Sequence, residues 1–329
     1  MLKRVLIPFL SCIFFISVLG AKNIKNKAIA IVDNQTILMS DFNKIADPII
    51  ANYEVMLKTQ GPMSEEDLKN LKKGIFEQII NEKLALKQAK AENIKVSRRQ
   101  KDDAYNKVKK RFTTESEFLE ELSKKGLTEE EFKSKLEEEL QVIEVVNKEV
   151  SSKVVVPTDD EAEDYYNDNK SLMIDPEAVR ARHILLKFDK AKGESATLKQ
   201  AKKIKKEIDN GADFATMARE HSEDEWTVDS GGSLGLFIRG QMIPAFENVA
   251  FSMSVGEVSD PVKTQFGYHI ILCQEKRMEQ QKEFDEVLKN QLKEFLYKNR
   301  MKTAYQEWIE DLKTKSNIVI KHDVTQDLE

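Results

Sequence analysis

Cysteine is almost missing from this chain: Cys12 and Cys273 are the only two in 329 residues. That excludes a disulfide framework and a cysteine-based zinc site. Glycine (12) and proline (7) are scarce, which excludes collagen-like and Gly/Pro-rich fibres and favours helix. No long basic block occurs and the formal net charge is −5, so nucleic acid is not expected as a partner. No phosphate-loop sequence G-x-x-x-x-G-K-[ST] is present, which removes the usual nucleotide cradle. Long apolar runs are missing as well. The stretch from Val5 to Leu19 is fifteen residues, broken by Pro8, Ser11, Cys12 and Ser17, and a bilayer span needs about 20.

That stretch instead has the make-up of a secretory signal. Lys3 and Arg4 precede it, and Val18 and Gly20 supply small residues ahead of Ala21. Residues 1–20 are expected to be removed and the chain to reach the periplasm, with membrane contact only during export. Two alternatives are an uncleaved anchor and attachment at the cell surface through Cys12. The second is disfavoured because the apolar run continues past Cys12. Without residues 1–20 the chain carries 50 basic and 57 acidic residues, a net charge of −7, and Cys273 alone. Packing rather than disulfides must then hold it together. Hydrophobic residues at 40 % suffice for real cores, and the length predicts two or three domains.

The remainder reads in three stretches. In residues 21–172, Ala28–Val32 and Thr36–Leu38 flank a turn and predict a hairpin. Ser40 and Asp41 are expected to cap a helix. Leu68, Leu71, Ile75, Ile79 and Leu84 form a helical stripe. Thr114 with Glu117, Thr128 with Glu131 and Thr158 with Glu161 have the spacing of capping boxes. Residues 177–276 change character: VRARHILLK (179–187) and GYHIILCQ (267–274) read as strands, apolar on both faces and therefore central and covered. Two helical stretches, a glycine-rich loop and a short apolar helix from Pro244 lie between them. In residues 278–329, Phe284, Leu288, Leu292, Phe295, Trp308, Ile309 and Leu312 mark a long amphipathic helix, and Ile318–Ile320 a final strand. So long an apolar stripe needs a partner, and the helical N-terminal stretch is the natural one. The two ends are expected to form one lobe, with the middle segment inserted.

Only four histidines occur: His183, His221, His269 and His322. His183 and His269 sit at matching places near the starts of the two covered strands. Buried imidazoles need partners for both ring nitrogens, and neighbouring strands would let each serve the other. A secreted hydrolase is set aside: neither H-E-x-x-H nor a cysteine pair occurs, and Ser222 and Ser233 are not read as nucleophiles.

ARHILLK (181–187), HSEDEWTVDSGGSLG (221–235), RGQMIPAFENVAF (239–251) and VKTQFGYHIIL (262–272) resemble, in order and spacing, the four signature blocks of the parvulin (PpiC-like) peptidyl-prolyl cis–trans isomerases. The flanking stretches, including AIAIVDNQTILMSDF (28–42), resemble exported foldases of the SurA and PrsA kind. This implies an α+β fold in which a parvulin domain, an antiparallel four-stranded sheet wrapped by helices, is inserted in a mainly helical chaperone-like lobe. It implies rotation about X-Pro bonds with no cofactor and no metal. His183 and His269 match the family's paired histidines, Asp224 the acidic position beside the reacting imide, and Thr264 a hydroxyl bonded to the pair. Leu234, Met242 and Phe246 match the apolar pocket for the proline ring, with Phe266 beside it. The implied partners are unfolded or partly folded exported polypeptides, secreted or outer-membrane, carrying X-Pro bonds. The alternative is a catalytically weak holdase that uses the parvulin domain as a docking scaffold.

Overall fold

The computed structural model describes residues 27–56, 63–188 and 193–326. The expected signal peptide and Cys12 lie outside them. The chain opens with an antiparallel hairpin of β1 (Ala28–Val32) and β2 (Gln35–Leu38), turned at Asp33, whose φ is 53°. Helix α1 (Met39–Met56) follows at once. It starts at Met39 rather than behind a Ser40–Asp41 cap. Asp41 lies in the first turn and accepts the N–H of Leu38 at 3.4 Å, so the carboxylate serves an orphan donor from inside the helix.

Helices α2 (Glu65–Ala91), α3 (Arg98–Lys109), α4 (Glu115–Lys124) and α5 (Glu129–Val146) come next, then α6 (Asp159–Asp168). The capping boxes at Thr128/Glu131 and Thr158/Glu161 are reciprocal. The third is half-formed: Thr114 accepts from Glu117, but the Glu117 carboxylate reaches back to the N–H of Thr113 at 2.9 Å. Each cap is worth about 1 kcal/mol.

Short strand β3 (Ile174–Asp175) precedes β4 (Ala178–Lys187). Helices α7 (Glu194–Asp209) and α8 (Phe214–His221), strand β5 (Ser233–Ile238), helix α9 (Pro244–Ser252) and strands β6 (Val262–Lys263), β7 (Gly267–Arg277) and β8 (Gln280–Gln281) complete this part. The sheet order is β5-β4-β7-β6, antiparallel throughout. Both histidine-bearing strands are therefore central, as their two-faced apolar pattern requires. One face, with Ile184, Leu186, Tyr268 and Ile270, packs under α7 and α8 through Ile204, Phe214 and Met217. The other, with Val179, Ala181, Ile271 and Cys273, packs under α9 through Phe246, Ala250 and Phe251.

Helix α10 (Glu286–Thr314) and strand β9 (Ile318–Ile320) end the fold, with β9 pairing against β1. Ile309, Leu312 and Val324 share a core with Ile29, Ile37, Phe42 and Ile79. Met301 joins Ala85, Val142 and Val145 in another. Each such buried side chain contributes about 1.5–3 kcal/mol. The chain divides into two compact units: residues up to Pro157 with Glu294 onward, and Thr158–Lys293. The second unit takes in α6 and the start of α10, where Ala162, Tyr166, Leu288 and Leu292 form a small core.

Candidate active site

The site is built on the α9 side of β4 and β7. His183 pairs across the ladder with Ile271, and His269 with Leu185. The two imidazoles are thus diagonal neighbours on one face, within reach of each other. Their Nδ1 atoms are 3.1 Å apart, and the ring planes differ by 18°.

A loop, residues 222–232, sets the third member. β5 pairs with β4 only as far as Arg182. Beyond that point the loop takes over the edge of β4. The N–H of His183 donates to the Gly232 carbonyl at 2.8 Å and that of Glu223 to the Leu185 carbonyl at 2.7 Å. Ser222 Oγ accepts from the N–H of Leu185 at 3.2 Å, and the Glu223 carboxylate from that of Lys187 at 2.6 Å. The approach requires glycine: a Cβ at Gly232, whose φ is +78°, would sit 2.1 Å from the His183 carbonyl oxygen. Stapled this way, the loop brings Asp224 Oδ2 to 2.7 Å from Nε2 of His183.

At the other end, Thr264 Oγ1 lies 2.9 Å from Nε2 of His269. The N–H of Phe266 donates to that hydroxyl at 3.1 Å, which leaves its hydrogen for the histidine. One proton order satisfies every member. Thr264 donates to His269, His269 Nδ1–H to His183, and His183 Nε2–H to Asp224. Both rings are neutral in this order.

The electrostatics agree. Burial and, secondarily, the charge of His183 push the His269 imidazole down to about 4, against the pull of Asp224. Burial also lowers His183, against the pull of Asp224. For Asp224, burial works upward, but the hydrogen bonds from Thr227 and His183 outweigh it and hold the carboxyl below its ordinary range. At neutral pH the row holds two neutral imidazoles and one carboxylate.

Beside it opens a cavity of about 500 Å³. His183, His269 and Asp224 line it together with Leu234, Met242, Phe246 and Phe266. Phe246 is 3 % exposed and stands edge-on to both imidazoles, with centroids 5.9 Å and 5.5 Å away. Phe266, 53 % exposed, is on the rim. Seven of the eight sequence-derived residues thus line one hollow. Thr264 does not; it is buried behind His269.

Sequence reasoning missed Thr227. Its hydroxyl donates to Asp224 Oδ2 at 2.5 Å and lies 3.1 Å from Nε2 of His183. The available signal was Asp224 followed three residues later by Thr, a turn in which the Thr227 N–H returns to the Asp224 carbonyl. Trp226, 94 % exposed, and Gln241 and Ile243 also line the cavity. The sequence reading of Ser222 and Ser233 took a nucleophile-elbow sequence to be absent, and that is corrected here: residues 231–235 spell G-x-S-x-G. An elbow is a strand-to-helix turn. Ser233 instead begins β5, opposite Arg182, so the letters carry no hydrolase.

A family model described as a PPIC-type PPIASE domain matches residues 183–275, and one described as a SurA-like N-terminal domain matches residues 2–146. The chain is 30 % identical over 328 residues to a foldase protein PrsA of Caldanaerobacter subterraneus, covering 96 % of both. The chain belongs to the PrsA foldase family. A foldase protein PrsA of Clostridium acetobutylicum is 33 % identical over 306 residues, covering 90 % of this chain and 88 % of that one. Among solved structures, one of two related SurA-like chaperones of Campylobacter jejuni matches at 24 % identity and a TM-score of 0.43, covering 90 % of this chain and all of that one. As a PrsA foldase with a PPIC-type domain, the protein is a peptidyl-prolyl cis–trans isomerase and chaperone.

Proposed function

We propose that the hollow of Leu234, Met242 and Phe246 seats the proline ring of an unfolded client, and that Asp224, His183, His269 and Thr264 act on the imide beside it. The observation that carries this reading is the neutral imidazole pair, tied to one carboxylate, on the wall of an apolar cavity.

Planarity is the obstacle. Amide resonance opposes rotation by about 18–20 kcal/mol, and an unaided X-Pro bond turns over in roughly 10–100 s. The planar form is charge-separated, with negative oxygen and positive nitrogen; the twisted form is less so. An apolar cup that excludes water disfavours the polar form. The Asp224 charge, held ionised by Thr227 and His183, opposes further build-up of charge on a nearby carbonyl oxygen. Neutral histidines add no cation that would restore it. No bond is broken, and none of these groups acts as a nucleophile.

Residues 1–20 would direct export and be removed before Ala21, leaving the mature foldase in the periplasm. N-terminal sequencing and fractionation check this. Mature protein beginning at Met1, or held in the membrane through Cys12, contradicts it. The helical lobe would hold unfolded segments irrespective of proline.

The deciding experiment pairs a prolyl isomerisation assay on a short X-Pro peptide with suppression of aggregation of a proline-free client, both on the full chain. Catalysis that falls with Asp224→Ala supports the site. No rate above background, with aggregation still suppressed, would leave only a holdase.

A further inference from the structure

A second opening of about 520 Å³ adjoins the first, lined by Lys187, Phe188, Ser222, Glu223, Glu225 and Val228. Lys187 and Glu225 line both cavities, so the two share a rim. The floor is firm: Ser222 and Glu223 are stapled to the backbone of β4. The charged ends on the rim are unengaged. Among the described residues, neither the Lys187 ammonium nor the Glu225 carboxylate has a hydrogen bond or ion pair. Glu223 uses one oxygen on the Lys187 N–H and keeps the other.

A protein substrate does not end at its proline. Residues flanking a ring seated against Met242 and Phe246 must leave across the rim, and at Lys187 and Glu225 that rim opens into the second cavity. Two carboxylates face one ammonium there, with the Asp224 charge close behind. The field is net negative, so it favours a cationic side chain and disfavours an acidic one.

We propose that the second cavity is a subsite for client residues flanking the proline, and that it selects segments carrying lysine or arginine there. The proposal rests on the reading of the first cavity as the proline site. It makes Glu223 and Glu225 determinants of client choice rather than of rotation.

The test uses the full chain and short peptides with Lys, Ala or Glu two residues before or two after a single proline. On one of the two sides, kcat/KM for the Lys peptide should exceed that for the Glu peptide about two- to five-fold at low salt, the range of solvent-exposed ion pairs. The ratio should shrink in 0.5 M salt, roughly, as screening sets in. Glu223→Gln keeps an oxygen for the Lys187 N–H. It should cut the ratio of the Lys peptide's kcat/KM to the Ala peptide's, a ratio that a change in the common rate does not move. Equal rates for Lys and Glu peptides on both sides, or a preference that survives Glu223→Gln and Glu225→Gln together, would overturn the proposal. If no peptide is turned over, the isomerase reading of the site fails separately. The subsite is then read from the order of peptide affinities by quenching of Trp226 in a Trp308→Phe background. Tighter Lys binding supports it, and the reverse order or no difference overturns it.

Discussion

Nδ1 of His183 faces Nδ1 of His269 across 3.1 Å, so only one of the two nitrogens can carry a hydrogen. A second proton placed there would set two donors against each other and leave one ring positively charged in a buried pocket. The pair therefore works only while both rings are neutral.

Acid should undo it. An unfolded histidine titrates near 6.5, and folded His269 is pushed to about 4. Between these values the unfolded chain binds protons that the folded one refuses, so stability falls as pH drops from about 6.5 to about 4. From His269 the loss is on the order of 3 kcal/mol. Calorimetry or urea titration at pH 7, 6 and 5 should show this unit melting progressively earlier. A transition that does not move, or moves later, would refute the neutral pair.

Glu139 on α5 predicts the opposite for the lobe. Burial and, secondarily, the charge of Glu82 raise its carboxyl to about 7. Its folded pKa lies above its unfolded one near 4.5, so the stabilisation is full below 4.5 and is lost as pH rises through 7. Glu139→Gln should flatten the lobe's pH dependence between about 5 and 8. Equal slopes for wild type and variant would count against a buried carboxyl.

Thr227→Val removes a hydroxyl that donates to Asp224. It should cost about 1–2 kcal/mol for the lost bond to a charged partner, raise the Asp224 pKa, and lower kcat with little change in KM. Thr227→Ser should restore most of the rate. A full rate in the valine variant would mean that Asp224 needs no such partner.

Met242 and Phe246 both line the hollow, but Phe246 is also a buried member of the core under α9. Phe246→Ala should destabilise by about 3–5 kcal/mol, so its activity loss would be uninformative by itself. Met242, only half-buried, is the cleaner probe. Met242→Ala should lower kcat/KM for a proline peptide about ten-fold with the unfolding midpoint nearly unchanged. An unaltered kcat/KM would move the ring site elsewhere.

Much of this was legible before any coordinates. The two central strands declared themselves because both faces are apolar, and Thr128/Glu131 and Thr158/Glu161 because a capping box is local chemistry. The match of four sequence blocks pointed to His183, Asp224, His269 and the apolar residues of the hollow. What stayed hidden depends on contacts with no sequence period. The loop over His183 is held largely by backbone groups of β4, which every residue possesses, so nothing in the sequence marked Thr227 as Asp224's partner. The start of α1 was misplaced because Asp41 satisfies the backbone from inside the helix, a geometry that the same residue types at a true N-cap would also suggest. The second cavity was illegible because Lys187 and Glu225 meet only once the loop folds back.

Cys273, the one cysteine among the described residues, is wholly buried in the core under α9, and burial raises its thiol above the ordinary value. Thiolate is the reactive form, and here it is both scarce and unreachable. A foldase that handles nascent chains before their own sulfhydryls have paired runs a constant hazard of being caught in mixed disulfides. Among the described residues this one turns no thiol outward, so they offer such chains nothing to be cross-linked to.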